Sequence, residues 1–226
     1  MNTAECALIF FTNGEPAYIT KRFDYHVEGA DKVGVKIAQE DFASLSGLAR
    51  GKDGAEYKNQ GSYEDITRIM KSHVGAYAVE AEKYYERIVF NYLFNNGDAH
   101  LKNFSLSQTP SGDYVLSPAY DMIDTRIHNP SDSFFALRDG LFSGEYSTGS
   151  FKVLGFYAYD DFYEFGRKIS LIESRITKIL DKYRNENGDT RDLINRSFLG
   201  AEAKTLFGSH YADRSKMLNN SYAKKI

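Results

Sequence analysis

Apolar positions between residues 81 and 93 recur at helical spacing: Ala81, Tyr85, Ile88, Val89, Tyr92 and Leu93 fall at i, i+4, i+7, i+8, i+11 and i+12. One stripe of this kind predicts a core-facing helix, and it ends directly at a loop beginning with Asn95. Upstream, Ser62 with Asp65 three residues on is an N-cap signal, and Tyr63, Ile66, Ile69 and Met70 continue it as a second helix. Two β-prone runs, residues 6–11 and 17–21, flank an Asn13-Gly14 pair and predict a hairpin. Residues 33–37 predict a brief strand, 39–48 a short helix, and 47–61 an exposed loop rich in glycine and charge. A second hairpin is expected from residues 104–106 and 114–116, joined by Pro110-Ser111-Gly112-Asp113. Beyond residue 160 the pattern turns helical, over 161–169, 173–183, 189–198 and 202–218. No repeat or linker divides the chain, so residues 1–226 read as one α+β, mostly α, unit.

Composition narrows the setting. A hydrophobic content of 42% over 226 residues supports an ordinary core. A net charge of -3 and a pI near 6.0 give no general electrostatic drive towards nucleic acid. Cys6 stands alone, so no intrachain disulfide is possible and a reducing, cytoplasmic setting is expected. Residues 1–11 carry neither a basic n-region nor a small-residue cleavage site, so no signal peptide is predicted. No segment reaches the roughly 18 apolar residues of a membrane helix.

Chemistry concentrates between residues 95 and 121. There the chain writes GDAHLKNF, crosses the second hairpin, and writes PAYD, which brings Asp98, Asn103 and Asp121 towards one another. Phosphoryl transfer needs little covalent chemistry from a protein, only a positioned acceptor, metal-neutralised phosphates and a proton acceptor. The Asp98 to Asn103 interval is the D-x-x-x-x-N interval of a kinase catalytic loop, in which the Asp takes the acceptor's proton and the Asn holds magnesium. Asp121 is the candidate second metal ligand, in keeping with the sparse oxygen ligation of Mg2+. Lys102 is a candidate for steadying the transferring phosphate or the base, with a solvated loop lysine as its plain alternative. His100 is a weaker candidate that equally fits packing beneath the loop. Each residue alone reads more readily as a turn or cap; their joint order carries the inference. One cysteine and five scattered histidines offer no H-E-x-x-H zinc set, and no G-x-S-x-G elbow supports a serine hydrolase.

GDAHLKNF and PAYD, together with KRFD at residues 21–24 and QEDF at 39–42, resemble the C-terminal region of HipA-type serine/threonine kinases of bacterial toxin-antitoxin modules. The likeness runs from about Leu8 onward. It implies a protein-kinase-like C-lobe preceded by a short β-hairpin remnant, and ATP with Mg2+ as cofactors. By the same resemblance Asp98 is the base, Asn103 and Asp121 bind magnesium, and Lys21, Arg22 and Phe23 form the hinge whose backbone meets adenine. Lys21 and Arg22 as exposed strand-end charges, with Phe23 as a core residue, is the structural alternative. A small helix-turn-helix antitoxin is the implied partner and a translation factor, such as an aminoacyl-tRNA synthetase, the implied substrate.

The sequence departs from the pattern at one point. A kinase also needs a glycine-rich loop over the phosphates and a strand lysine, and neither motif is written here; Lys36 lies on the wrong side of KRFD and reads as a surface lysine. A separate N-lobe chain, or residues upstream, is therefore expected to complete the site. A binding module without turnover and a small-molecule phosphotransferase stand as alternatives.

Overall fold

The computed structural model describes residues 1–27, 34–184 and 188–223. It is an α+β fold, mostly α, with three small antiparallel sheets among the described residues beside a helical body. β1 (Cys6–Phe10) and β2 (Pro16–Thr20) form the expected hairpin, in register from Cys6 opposite Thr20 to Phe10 opposite Pro16. Its turn places Gly14 at φ +83, a left-handed conformation that favours glycine. β3 (Tyr25–Val27) pairs with β4 (Gly34–Lys36), which lies within the strand expected over 33–37, although Val33 falls outside the described residues.

Residues 39–48 are not one helix. Gln39–Asp41 is a strand, β5, paired with β6 (Ser105–Gln108), and β6 pairs in turn with β7 (Tyr114–Leu116). Only then does α1 (Phe42–Leu45) begin, because the Asp41 carboxylate accepts from the Ser44 N–H at 2.9 Å and caps it. The presumed loop at 47–61 likewise contains α2 (Arg50–Asp53) and a 3-10 turn at Tyr57–Asn59.

α3 (Tyr63–His73) starts in a complete capping box between Ser62 and Asp65. α4 (Tyr77–Leu93) is the axis of the core: Ala81, Tyr85, Ile88, Val89 and Tyr92 are fully buried, and Leu93 is nearly so. Packed around it are Ile66 and Met70 of α3, Phe162 and Phe165 of α6 (Tyr159–Lys168), and Ile176 and Leu180 of α7 (Glu173–Arg184), with α5 (Gly149–Leu154) preceding them. A Cβ on Gly166 would lie 2.7 Å from Ile176, so glycine lets α6 and α7 cross closely. α8 (Gly188–Arg196) and α9 (Ala201–Asn219) complete the chain.

The abundance of tyrosine has a structural explanation. Buried phenols need a partner, and here they bond to backbone carbonyls of other elements: Tyr84 to Tyr63 O at 3.0 Å and Tyr85 to Phe162 O at 3.0 Å. Two buried charged side chains of α4 do comparable work on the small sheet. The Glu80 carboxylate accepts from the Leu116 N–H at 3.0 Å, and the Arg87 guanidinium donates to Ser117 O at 2.6 Å. The helix axis thus fixes the strand that leads to Asp121.

Candidate functional site

The catalytic-loop candidate begins where α4 stops. Asn95 takes a left-handed φ of +53, turning the chain out of the helix, and residues 95–103 wrap into a 3-10 turn at Leu101–Asn103 before entering β6. Asp121 also has a left-handed φ, +54, and among the described residues only Ser170 joins these two as non-glycine cases. Such conformations cost free energy and persist where surrounding contacts over-determine them.

The contacts that hold the loop are identifiable. Its carbonyls are engaged one after another: Asp98 O accepts from the His100 N–H at 2.7 Å and from Asn103 Nδ2 at 2.8 Å, Ala99 O from the Tyr63 hydroxyl at 2.8 Å, and Lys102 O from the Tyr120 hydroxyl at 2.8 Å. The Gly97 N–H donates to Thr125 Oγ1 at 3.0 Å, and Asn95 O accepts from the Thr125 N–H at 3.1 Å. Asn96 Nδ2 reaches Asp121 O at 3.3 Å. The Asp98 loop and the segment around Asp121 are therefore laced together by bonds to backbone groups, and none of those bonds uses the Asp98 or Asp121 carboxylate.

Asp98 presents a half-exposed carboxylate with two basic neighbours, Lys58 Nζ at 3.5 Å and His100 Nε2 at 3.7 Å. His100 is buried, and its Nδ1 has no hydrogen-bond partner. Burial pushes its pKa below the ordinary value, with Lys58 in the same direction, while Asp98 and, more weakly, Asp121 pull it back up. The shift favours the neutral form of the buried imidazole. Its position matches packing under the loop.

Asn103 and Asp121 fit a hard cation by the chemistry of their donors. The Asn103 amide nitrogen is tied to Asp98 O, which orients its carbonyl oxygen away from that bond, and the exposed Asp121 carboxylate forms no ion pair among the described residues. No group of three or more His, Cys, Asp or Glu side chains in the described residues is arranged to hold a metal unaided. That donor set suits Mg2+, which combines one or two carboxylates with phosphate and water.

Three other candidates lie elsewhere. Lys102 Nζ bonds the Asp41 carboxylate at 2.7 Å, which raises the lysine's pKa, so it faces the β5–α1 corner and Lys58 is the lysine at Asp98. Lys21 is exposed and pairs with Glu5 at 3.0 Å on the first hairpin. Phe23 is half-buried with its ring 5.6 Å from that of Tyr120, so the KRFD segment packs against the residue preceding Asp121. A cavity of about 820 Å3 is lined by Asp121 together with Tyr18, Asn91, Asn96 and Phe207, and neither Asp98 nor Asn103 lines it.

Lys58 is the residue the sequence hid. It comes from a stretch with no local periodicity, and reaches Asp98 because the 3-10 turn carrying it is fastened from afar: Asn59 Nδ2 donates to Ala136 O at 2.9 Å and Asn59 O accepts from the Arg138 N–H at 2.9 Å. The anchoring roles of Tyr63 and Tyr120 gave no signal either, since an anchoring phenol and a core phenol read alike.

A helical body, an acid-bearing loop after its central helix, and a hairpin returning a second acid towards that loop make a kinase-like lobe. The chain belongs to the family of HipA-like C-terminal domains, whose model matches residues 1–189. Among similar proteins, a Haemophilus influenzae protein named "Putative kinase" is 26% identical over 213 residues, covering 91% of this chain and 61% of that protein. Sinorhizobium fredii "Putative kinase Y4mE" is 25% identical over 211 residues, covering 92% of this chain and 48% of that one. This chain thus spans roughly half the length of these relatives. Among solved structures, Shewanella oneidensis HipA, in a complex with HipB and operator DNA, superposes with a TM-score of 0.67 at 16% identity, over 96% of this chain and 52% of that one. The Helicobacter pylori proinflammatory kinase CtkA does so with a TM-score of 0.54 at 14% identity, over 96% and 78%. Both likenesses are of fold.

Proposed function

We propose that this domain is the base- and metal-bearing part of an ATP-dependent phosphotransferase acting on a serine or threonine hydroxyl of a protein. The observation that carries the reading is the lacing of residues 95–103 to residues 121–125 by backbone–backbone and side chain–backbone hydrogen bonds, with the Asp98 carboxylate half exposed and Asp121 exposed. In the reaction the acceptor oxygen forms a bond to the γ-phosphorus, the bond to the bridging oxygen breaks, ADP leaves, and the hydroxyl proton passes to Asp98. Asn103 and Asp121 would hold Mg2+, which supplies charge neutralisation on the phosphate oxygens. Lys58 offsets charge at Asp98. Lys102, bound to Asp41, is a brace for the loop, and Phe23 sets the hinge segment on Tyr120.

The glycine-rich loop and strand lysine are proposed to come from polypeptide outside residues 1–226. Membership of the family supports a helix-turn-helix antitoxin as partner, as HipA was solved with HipB, and a protein of the translation machinery as substrate. No helix of the described residues is long and apolar enough to cross a membrane.

The test is transfer from labelled ATP with Mg2+, with and without a lobe bearing those two elements added in trans. Transfer should require the lobe, and Asp98→Ala should lower it by about 10²–10⁴-fold, the range for a lost general base. Transfer that survives both Asp98→Ala and Asp121→Ala overturns the site, and vigorous transfer by the chain alone overturns the need for a second lobe. A second reading, nucleotide or antitoxin binding without turnover, is favoured by the engagement of Lys102 with Asp41; it predicts ATP affinity with no transfer under either condition.

A further inference from the structure

The last helix reaches back to the catalytic loop, although it lies beyond the residues 1–189 that match the family. Arg214 of α9 is almost completely buried, and its Nε donates to Asn95 Oδ1 at 2.8 Å. Its guanidinium is 4.8 Å from the centre of the Tyr92 ring and 4.3 Å from that of Phe134, so the group is stacked as well as bonded. One turn earlier, His210 Nδ1 lies 3.4 Å from the Asp124 carboxylate, which is itself buried. α9 therefore touches the two places where the site's backbone is set: the left-handed residue three positions before Asp98, and the residue three positions after Asp121.

We propose that α9 is a positioning element for the phosphotransfer site, with Arg214 as the positioning residue that holds Asn95 in its left-handed conformation and thereby fixes Asp98 relative to Asp121. The inference deepens the function proposed above and rests on that reading for its meaning, but not for its geometry. Asn95 is the joint through which it acts. Its carbonyl accepts from the Thr125 N–H, its side-chain oxygen takes Arg214 and, at 3.4 Å, Arg126, while its Nδ2 is buried with no partner. With one side of the amide unpaired, the arginine on the other side decides how the side chain is held. A lysine at 214 would keep the charge but lose the planar fork that both stacks on the rings and donates to the amide.

The experiment is amide hydrogen exchange on the intact chain, comparing Arg214→Lys, Arg214→Met and the exposed control Lys216→Ala. Two reporters read the loop directly: the Thr125 N–H bonded to Asn95 O, and the His100 N–H bonded to Asp98 O. Expected is a rise of about tenfold or more in exchange at both reporters in the two Arg214 variants, the scale of a lost charge-assisted bond, with core amides of α4 unchanged and the control silent. Where transfer is measured with the added lobe, kcat should fall with KM for ATP nearly constant, because orientation and not nucleotide affinity is lost. Unchanged reporters, or a rise shared equally by all amides, overturns the proposal by showing that Arg214 merely stabilises the fold. Faster reporters in a protein that never transfers phosphate uphold the positioning link while sinking the phosphotransfer reading.

Discussion

Replacing Gly97 by alanine tests how the loop is clamped. A Cβ at this position would lie 2.7 Å from Asp132 Cγ and 3.0 Å from Thr125 Oγ1, closer than such atoms settle. The Thr125 hydroxyl accepts from the Gly97 N–H and makes a short bond to the Asp132 carboxylate, so relief by swinging Asp132 away breaks a charge-assisted bond. That loss costs about 1.5–3 kcal/mol. Alanine also narrows the unfolded ensemble, which returns about 0.4–1 kcal/mol, and the net expectation is a destabilisation of roughly 1–2 kcal/mol. With a urea m-value towards about 3 kcal/mol/M for a chain of this size, the midpoint should drop by about 0.5 M. The diagnostic measurement is the same substitution in an Asp132→Ala background, where the nearer obstacle and its bond are gone and the Thr125 hydroxyl, no longer held by Asp132, can give by the few tenths of an ångström the methyl needs. There Gly97→Ala should be neutral or slightly stabilising. An undiminished loss in that background would refute the clamp, as would no loss in the native one.

Two further outcomes are expected. Tyr63→Phe removes the hydroxyl that satisfies the buried Ala99 carbonyl and should cost about 1–3 kcal/mol in urea unfolding; a change within about 0.3 kcal/mol would show that the loop carbonyl is satisfied without it. His100 has its folded pKa depressed by burial, so the unfolded chain binds a proton that the native state declines. Stability should therefore be intact above the unfolded histidine value of about 6.5 and fall as pH drops from there towards the folded value; His100→Gln should flatten the Tm profile between about pH 7.5 and 5.5, and identical slopes would contradict the assignment.

Legibility followed the range of the determining contacts. The stripe of α4, the capping box of α3 and the Asn13-Gly14 hairpin are written in neighbouring residues, and each stands where its pattern places it. Residues 39–41 gave way because their strand exists only through pairing with residues 105–107, a partner no local window contains. The same holds for β3, whose partner strand lies some ten residues on; α5 was missed for another reason, since its cap at Thr148 is local but sits in a glycine-rich stretch that reads as loop. In the site, the acids and their order were visible. Which lysine lies beside Asp98 was not, since Lys102 is inside the motif and Lys58 is not, yet Asp41 draws the first away while the fastening of residues 57–59 delivers the second. Arg214 lay further out of reach, 119 residues from its partner.

One pairing at the start of the chain bears on how the domain is handled. Thr3 bridges to Ala119 in parallel, through Ala4 N–H to Ala119 O at 2.9 Å and Ala119 N–H to Asn2 O at 3.0 Å. The backbone two residues before Asp121 is thus tethered to the first few residues, and any polypeptide joined ahead of Asn2 has a mechanical lever on Asp121. A fused tag would pull on it, and so would a docking lobe.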